Sequence, residues 1–331
     1  MDFRTEVSLD WQSERINHSH SLVFFGSCFA DEIGSMFKAN KFDTLLNPFG
    51  VLYNPLSITN AIERSLDEIP YSEKDLVKIG NLYHSFAHHS QFSDTDKEVM
   101  LKNMNIALEE SSYKLKNADF LFVTFGTAWV YELKENGMVV ANCHKLPANN
   151  FTRRRTSVNE LTQRFATIVE RLLKINPKIK IVLTVSPIRH LKDGAHENSL
   201  SKSTLILLCE ELQNIFNQSI FYLPTYEILL DELRDYRFYA DDMAHPSKRA
   251  VEYIWERIRE EIISSEANTI IKDWGKIRQG INHRLMSADI EGYKIFLNNL
   301  LKTAISFAEK HPNININKDI AEIKNRINNE I

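Results

Sequence analysis

An alkoxide nucleophile needs a base within hydrogen-bond reach, and that base's imidazole must be held in the right tautomer by an acceptor. The chain offers a base and an acceptor three residues apart, in Asp242-Met243-Ala244-His245-Pro246-Ser247. A tight turn at that spacing folds the Asp242 carboxylate onto one imidazole nitrogen of His245 and leaves the other nitrogen free. Asp241 is a possible substitute, but the three-residue separation favours Asp242. The hydroxyl to be activated stands far up the chain, in Ser21-Leu22-Val23-Phe24-Phe25-Gly26-Ser27-Cys28-Phe29-Ala30. There a short apolar run stops at Gly26-Ser27 and a helical pattern begins at once. This is the pattern of a buried parallel strand turning sharply into a helix. It places the Ser27 N–H at a positive helix end and its hydroxyl where open α/β sheets bind ligands. Taken alone, His245 reads equally well as a histidine that packs at a helix start, with Asp242 or Asp241 as the cap. Taken with Ser27, the residues read as the two ends of one hydrolytic site.

Cys28, beside Ser27, is a second conceivable nucleophile. One step along a helix swings the side chain by about 100°, so the two cannot face the same cleft. Cys28 is therefore read as a small residue buried under the sheet. An ester hydrolase also needs donors for the tetrahedral oxyanion. The Ser27 N–H is one. Gly50, lacking a side chain, either brings its N–H close or is an ordinary turn glycine. Gly126-Thr127-Ala128-Trp129 forms a further loop at the same edge. Thr127 can donate through its hydroxyl or backbone, and Trp129 forms a wall of the site or simply packs. His84, His88, His89 and His144 invite a metal reading, but the adjacent His88 and His89 point apart on any regular element, and no acidic partner stands at ligand spacing. They are taken as structural or substrate-contacting, and no metal or cofactor is expected. Arg153-Arg154-Arg155 is read as a solvated basic run before a helix, with contact to an anionic substrate group as the lesser alternative.

Five apolar strand candidates position these residues: 21–26, 42–46, 119–125, 178–185 and 219–223. Continuous apolar runs alternating with helical patterns point to an α/β fold with a parallel sheet covered on both faces. The helix before the fourth strand opens with Ser157 and Glu160 as a capping box, and Leu161, Phe165, Ile168, Val169 and Leu172 share one face. The helix before the fifth strand carries Leu205, Leu208, Cys209, Leu212 and Phe216, which makes Cys209 a core residue. A later helix starts at Pro246, which suits its first turn. Two insertions interrupt the alternation. Residues 48–118 hold a helix from about Leu56, the histidines and a long helix ending near Lys116. Residues 129–144 read as a hairpin of Trp129–Lys134 and Met138–Cys143 across Asn136-Gly137, a type I′ signal, overhanging the ligand edge. The main domain is thus expected over 1–265. Residues 266–331, rich in Asn, Lys and Ile, read as two or three helices, an appendage packed on the core or used to form a homo-oligomer.

The chain has 331 residues, 43% of them hydrophobic, enough for a large core. Lys and Arg total 40 against 44 Asp and Glu, a net charge of -4, which gives no push toward nucleic acid or an anionic membrane. Cys28, Cys143 and Cys209 lie far apart without metal-type spacing, as reduced thiols do. The N-terminal Met1-Asp2-Phe3-Arg4-Thr5-Glu6 is charged, and the apolar run at 22–25 is too short for a signal peptide or a membrane span. A soluble, cytoplasmic protein is expected.

At these residues the chain resembles the GSCFA family, named for the string Gly26-Ser27-Cys28-Phe29-Ala30, which is similar to the wider SGNH or GDSL-like esterases. The resemblance takes in Asn47-Pro48-Phe49-Gly50 with Asn54-Pro55, Thr124-Phe125-Gly126-Thr127-Ala128-Trp129, Thr184-Val185-Ser186-Pro187 and Asp242-Met243-Ala244-His245-Pro246, in order, over roughly residues 1–265. It implies a doubly wound, flavodoxin-like (SGNH-type) five-stranded parallel sheet of strand order 2-1-3-4-5. It also implies Ser27 as nucleophile, His245 as base and Asp242 as its orienter. The wider esterases usually carry Gly-x-Asn in the third block, the Asn donating to the oxyanion. Here that position is Ala128, so Thr127, Asn54 or a histidine from the insertion replaces the donor, or the transition state is less well stabilised. The expected function is a serine esterase cleaving a short acyl group, such as acetyl, from a small-molecule or carbohydrate ester through an acyl-enzyme on Ser27. Two alternatives stand beside it: an acyltransferase to a sugar hydroxyl at the same site, and a non-catalytic carbohydrate-binding module.

Overall fold

The computed structural model describes residues 4–283 and 290–329. The first three residues of the charged N-terminal stretch, residues 284–289 and the last two residues of the C-terminal segment lie outside that description. In chain order the elements begin β1 (Ser21–Gly26), α1 (Cys28–Ala39), β2 (Asp43–Leu46), α2 (Pro55–Asp67), β3 (Val77–Ile79), β4 (Leu82–His84), α3 (Lys97–Asn117) and β5 (Phe120–Phe125). A small-sheet segment follows, with β6 (Trp129–Leu133), β7 (Val139–Val140) and β8 (Phe151–Arg155). Then come α4 (Val158–Ile175), β9 (Lys180–Val185), α5 (Gly194–Ile215), β10 (Ile220–Tyr222) and the short α6 (Thr225–Glu227). The chain ends in α7 (Lys248–Ile262), α8 (Ser265–Asn282), α9 (Ile290–Lys310) and α10 (Asn317–Asn329).

Strands β2, β1, β5, β9 and β10 lie side by side in that order, every pair parallel. Numbered among themselves along the chain they run 2-1-3-4-5, the expected doubly wound order, with its switch point between β1 and β5. Alternate residues of each strand feed two cores. Val23, Phe25, Leu121, Val123, Ile181 and Leu183 pack with Leu56, Met104, Phe165 and Leu205 of α2 to α5. Leu22, Phe24, Phe120, Phe122 and Val182 pack with Phe29 and Phe37 of α1 and Ile254 and Ile258 of α7. Both faces are buried, which is why these strands are continuously apolar rather than alternating.

Helices α8 to α10 enclose a further cluster around Trp274, Leu297, Phe307 and Ile323. They touch the sheet domain near its β2 edge. Trp274 Nε1 donates to the Ala39 carbonyl at 2.8 Å, and Lys41 pairs with Asp319 at 2.6 Å with its ammonium over the Trp274 ring. Among the described residues no helix is long and apolar enough to cross a membrane.

Residues 129–155 differ from the expected hairpin. Strands β6 and β7 pair only at Tyr131 with Val140 and Glu132 with Val139, and β8 flanks the other side of β6. Of Asn136-Gly137 only Gly137 has a positive φ, +71°, whereas a type I′ turn needs two such residues. A longer loop closes instead, with the Gly137 N–H on the Leu133 carbonyl at 2.8 Å. The arginine run is the end of β8, and two of its three residues are paired rather than solvated: Arg153 with Asp193, and Arg154 with both Glu132 and Glu160, while Arg155 is exposed. Because Arg154 holds the Glu160 carboxylate, the box at α4 keeps its serine half, Ser157 Oγ accepting from the Glu160 N–H at 3.2 Å. Helix α7 is capped by Ser247, so Pro246 precedes the helix and does not lie in its first turn.

Candidate active site

Strand β1 ends in a passage open only to glycine. Gly26 has φ +141°, and a Cβ there would stand 2.2 Å from the Thr124 carbonyl oxygen. Asn47 pins the turn from the loop after β2. Its Oδ1 accepts the Gly26 N–H at 2.8 Å, its own N–H goes to the Phe24 carbonyl at 2.9 Å, and its Nδ2 donates to Asp31 at 2.7 Å. Ser27 follows in extended conformation as the N-cap of α1. Its hydroxyl is buried, caps nothing and has no hydrogen-bond partner. The N-cap serines of α4, α7 and α8 (Ser157, Ser247 and Ser264) each accept a backbone N–H. A buried hydroxyl left unpaired costs about 1–3 kcal/mol, so the turn keeps Ser27 uncommitted at the expense of the fold.

The Asp242–His245 pair is built from its own turn. Asp242 Oδ1 accepts the N–H groups of Ala244 and His245, both at 2.9 Å, and Oδ2 meets His245 Nδ1 at 2.6 Å. Met243 takes φ +56° to let the loop close. The backbone N–H of His245, that of Ala244 and the imidazole together hold the Asp242 carboxyl down at about 2. It is therefore ionised at neutral pH and fixes the ring proton on Nδ1, leaving Nε2 as the acceptor. Both side chains are about half exposed, at 49% for His245 and 52% for Asp242.

A cavity of about 560 Å³ lies over this edge, lined by His245 and by Cys28, the residue after Ser27. His245, Cys28, Tyr53, Asn54, Thr127 and Trp129 line it, together with Tyr131, Asn142 and Cys143 from the small sheet and its connections. The structure thus brings Asp242 onto His245, and His245 to the same cavity as Asn54, Thr127 and Trp129. It does not join Ser27 Oγ to His245, for the hydroxyl lies beneath the lining with no partner.

Three expectations change here. Cys28 is not buried under the sheet: it is half-buried, lines the cavity and sits 3.4 Å from the Tyr53 hydroxyl. Burial, with the Cys28 contact second, pushes the Tyr53 phenol well above its ordinary range, so it keeps its proton and can donate it to sulfur. Gly50 is an ordinary turn glycine, with φ +75°. Its N–H is bonded to the Asn47 carbonyl at 2.7 Å, and a Cβ on it would stand 2.3 Å from the Cβ of His89, which itself lines the cavity. The Ser27 N–H is likewise bonded, to the Thr124 carbonyl at 3.1 Å.

The remaining oxyanion candidates differ in what they have to spare. The Thr127 N–H goes to the Tyr53 carbonyl at 3.0 Å, while its hydroxyl accepts from Trp129 at 3.1 Å and meets Ser201 at 3.2 Å. Asn54 caps α2 through Oδ1 and gives one amide hydrogen to Ser57 Oγ at 3.0 Å, which leaves its second amide hydrogen. Ala128 is fully buried, its N–H on Ser201 Oγ at 2.8 Å, and contributes nothing to the cavity.

Helix α5 supplies parts that sequence reasoning missed. Asn198, Ser201 and Lys202 are buried on the same stripe as Leu205 and Leu208. They hold the loops that leave β5 and β9: Asn198 accepts the His190 N–H at 2.8 Å, and Lys202 Nζ donates to the Gly126 and Ser186 carbonyls, both at 2.7 Å. Lys202 has no carboxylate partner among the described residues, and burial pulls its ammonium down to about 7. Arg189 and His190 also line the cavity, just past Thr184-Val185-Ser186-Pro187. Burial, with Lys202 and His245 nearby, lowers the His190 imidazole to about 4, so it is neutral.

His84, His88 and His144 stand to one side. His88 is enclosed by Phe49, Tyr71 and Phe92, and burial lowers it to about 3. The His84 and His144 rings lie tilted to each other with centroids 4.5 Å apart, both lowered chiefly by burial. Among the described residues no three His, Cys, Asp or Glu side chains gather as a metal ion would require.

Fold and site together describe a doubly wound α/β protein with a carboxylate–imidazole pair at the carboxyl edge of its sheet. The chain belongs to the GSCFA family, whose model matches residues 21–258, and residues 274–329 match the GSCFA domain protein, C-terminal domain. No curated protein matches the chain. Among solved structures it is similar to an acetyl xylan esterase (Est2A) from the rumen bacterium Butyrivibrio proteoclasticus. That similarity has 14% identity and a TM-score of 0.37, over 74% of this chain and 64% of that one. The chain therefore spans less than two thirds of that esterase's length.

Proposed function

We propose that the protein is a serine hydrolase that cleaves a short-chain carboxylic ester, such as an acetyl group on a carbohydrate. Ser27 acts as nucleophile, His245 as base and Asp242 as the residue that orients it. The observation that carries this reading is an imidazole on the cavity with Nδ1 already held at 2.6 Å by Asp242, together with a strand-end serine, next to the cavity-lining Cys28, whose hydroxyl is committed to nothing. In the reactive complex the Ser27 hydroxyl turns to His245 Nε2, which accepts its proton as Oγ attacks the acyl carbon. Contacts of this kind commonly tighten only once substrate is bound. His245 then gives the proton to the departing alkoxide, and a water deprotonated at Nε2 releases the acyl group from Ser27. The spare Asn54 amide hydrogen is the best available donor to the oxyanion. The three thiols are unpaired, which suits a cytoplasmic setting.

A second reading keeps the base and moves the nucleophile one residue. The Cys28 side chain lines the cavity, whereas the Ser27 hydroxyl lies below it. Fluorophosphonate labelling and 4-nitrophenyl acetate hydrolysis by wild type, Ser27→Ala and Cys28→Ala separate the two. The serine reading expects label on wild type and Cys28→Ala only, and a loss of kcat/KM of about a thousandfold or more in Ser27→Ala. An active Ser27→Ala beside an inactive Cys28→Ala transfers the role to the thiol. No labelling and no hydrolysis by any form leaves a binding module, and acyl transfer to an added sugar in preference to water makes the protein a transferase.

A further inference from the structure

The cavity's charge is opposite to that of the chain. The protein carries a net charge of -4, yet three permanent cations, Arg153, Arg189 and Lys192, line the cavity against one carboxylate, Asp193. Asp193 is taken up by Arg153, which grips it with both terminal nitrogens while lying 4.1 Å over the Trp129 ring. That pair is a neutral wall. Arg189 and Lys192 have no ion-pair partner among the described residues. Arg189 is half-buried, its Nε enclosed and without a hydrogen-bond partner. Its backbone N–H donates to the Ala244 carbonyl at 3.0 Å, which places residue 189 beside the His245 turn. On α1, Asp31 and Glu32 do not line the cavity, and Asp31 already accepts from Asn47 at 2.7 Å. A guanidinium without a counter-ion in a concave, partly apolar site concentrates positive potential and favours an anionic ligand.

We infer that the cavity selects esters whose alcohol part carries an acidic group, a carboxylate or a phosphate, held by Arg189 and Lys192. The inference rests on the esterase reading, which puts a small acyl group at Ser27 and leaves the larger alcohol part to fill the rest of the cavity. Charge is then a specificity determinant, and a neutral ester of equal size is the poorer substrate.

The test compares 4-acetoxybenzoate with its neutral methyl ester, and runs 4-acetoxyphenyl phosphate alongside to tell carboxylate from phosphate preference. Wild type is expected to favour the acids in kcat/KM by about tenfold, the usual scale of one well-placed charge contact. Arg189→Gln and Lys192→Gln should each lower that ratio, the double variant should bring it near one, and added salt should erode it in wild type only. Lys192 is exposed, so its variant keeps the test independent of folding at Arg189. Equal rates on acidic and neutral esters overturn the inference and leave the hydrolase reading standing. If no ester is hydrolysed, calorimetric binding of 4-hydroxybenzoate against its methyl ester decides. Carboxylate binding lost in Arg189→Gln supports the anion site and removes the hydrolase reading, and no preference overturns the inference.

Discussion

The turn at Ser27 and the turn at His245 do opposite things with their polar atoms. At 242–245 both carboxylate oxygens are hydrogen-bonded and the imidazole is fixed, although both side chains stand half in solvent. At 26–27 both backbone N–H groups and the Gly26 carbonyl are engaged, through Asn47, Thr124 and Leu52, yet the one side-chain hydroxyl has nothing to bond. A pair three residues apart completes its geometry from its own backbone. A serine hydroxyl at a strand end depends on everything packed around it: the glycine passage at 26, the Asn47 brace and the Lys202 clamp beneath. One half-site is local and satisfied, the other is tertiary and left in tension.

Three substitutions test that contrast, in descending order of effect. Asp242→Asn attacks the satisfied side. An amide can offer an N–H to Nδ1 and stabilise the wrong tautomer, so kcat/KM should fall by about a hundredfold, less than at a buried triad carboxylate because Asp242 is half exposed. The carboxyl is held at about 2, below its ordinary 3.8, so its grip is complete above roughly pH 4 and fades only as pH falls toward 2. Activity lost above pH 4 in wild type is then not due to Asp242, and a pH profile of both forms checks this. A fall in rate of less than threefold would mean that His245 orients itself without the carboxylate.

Lys202→Met attacks the other side, removing the donor to the Gly126 and Ser186 carbonyls. The position of Gly126 matters to Ser27, since a Cβ there would meet the Ser27 Cβ at 3.4 Å. Native Lys202 titrates near 7 and the unfolded chain's lysine near 10.5, so the native state sheds its proton first. Wild-type stability should therefore gain a rising component between those two values, and Lys202→Met should lose it. Urea denaturation of both proteins at pH 7 and at pH 9 measures the difference. Parallel curves would show that Lys202 holds its proton as tightly in the native state as in the unfolded chain, so that the clamp stays an ammonium at both pH values.

Asp193→Asn touches neither turn. Its ion pair with Arg153 is about one-quarter exposed, and breaking it should cost about 1 kcal/mol or less in a thermal melt. A much larger loss would make the small sheet part of the same cooperative unit as the two half-sites.

The same contrast governs what could be read from sequence. The central strands β1, β5 and β9 were legible because burial on both faces makes them nearly unbroken apolar runs, as in Phe120–Phe125. Asp242 with His245 was legible because the contact spans three residues. The β8 strand was not, since its arginines are neutralised by Glu132 and Asp193, 22 and 40 residues away in sequence. The facing of Cys28 was not either, because which of two adjacent side chains meets a cavity depends on where the helix begins to within a residue. Lys202 left a readable trace: a lysine three positions before Leu205 on an apolar stripe has to find polar partners inside. Arg189 and His190 lie just past Thr184-Val185-Ser186-Pro187 at a strand's carboxyl end, where nothing in their own spacing marks them as cavity residues.

The turn at 242–245 also has an evolutionary consequence. The carboxylate, the imidazole and the two amide groups that steady the carboxylate fall within four successive positions, so they are inherited as one cassette. Recombination between related genes transmits the partnership whole or not at all, and a single codon inserted within it disables both members together. Loops on either side can vary in length and composition without parting them.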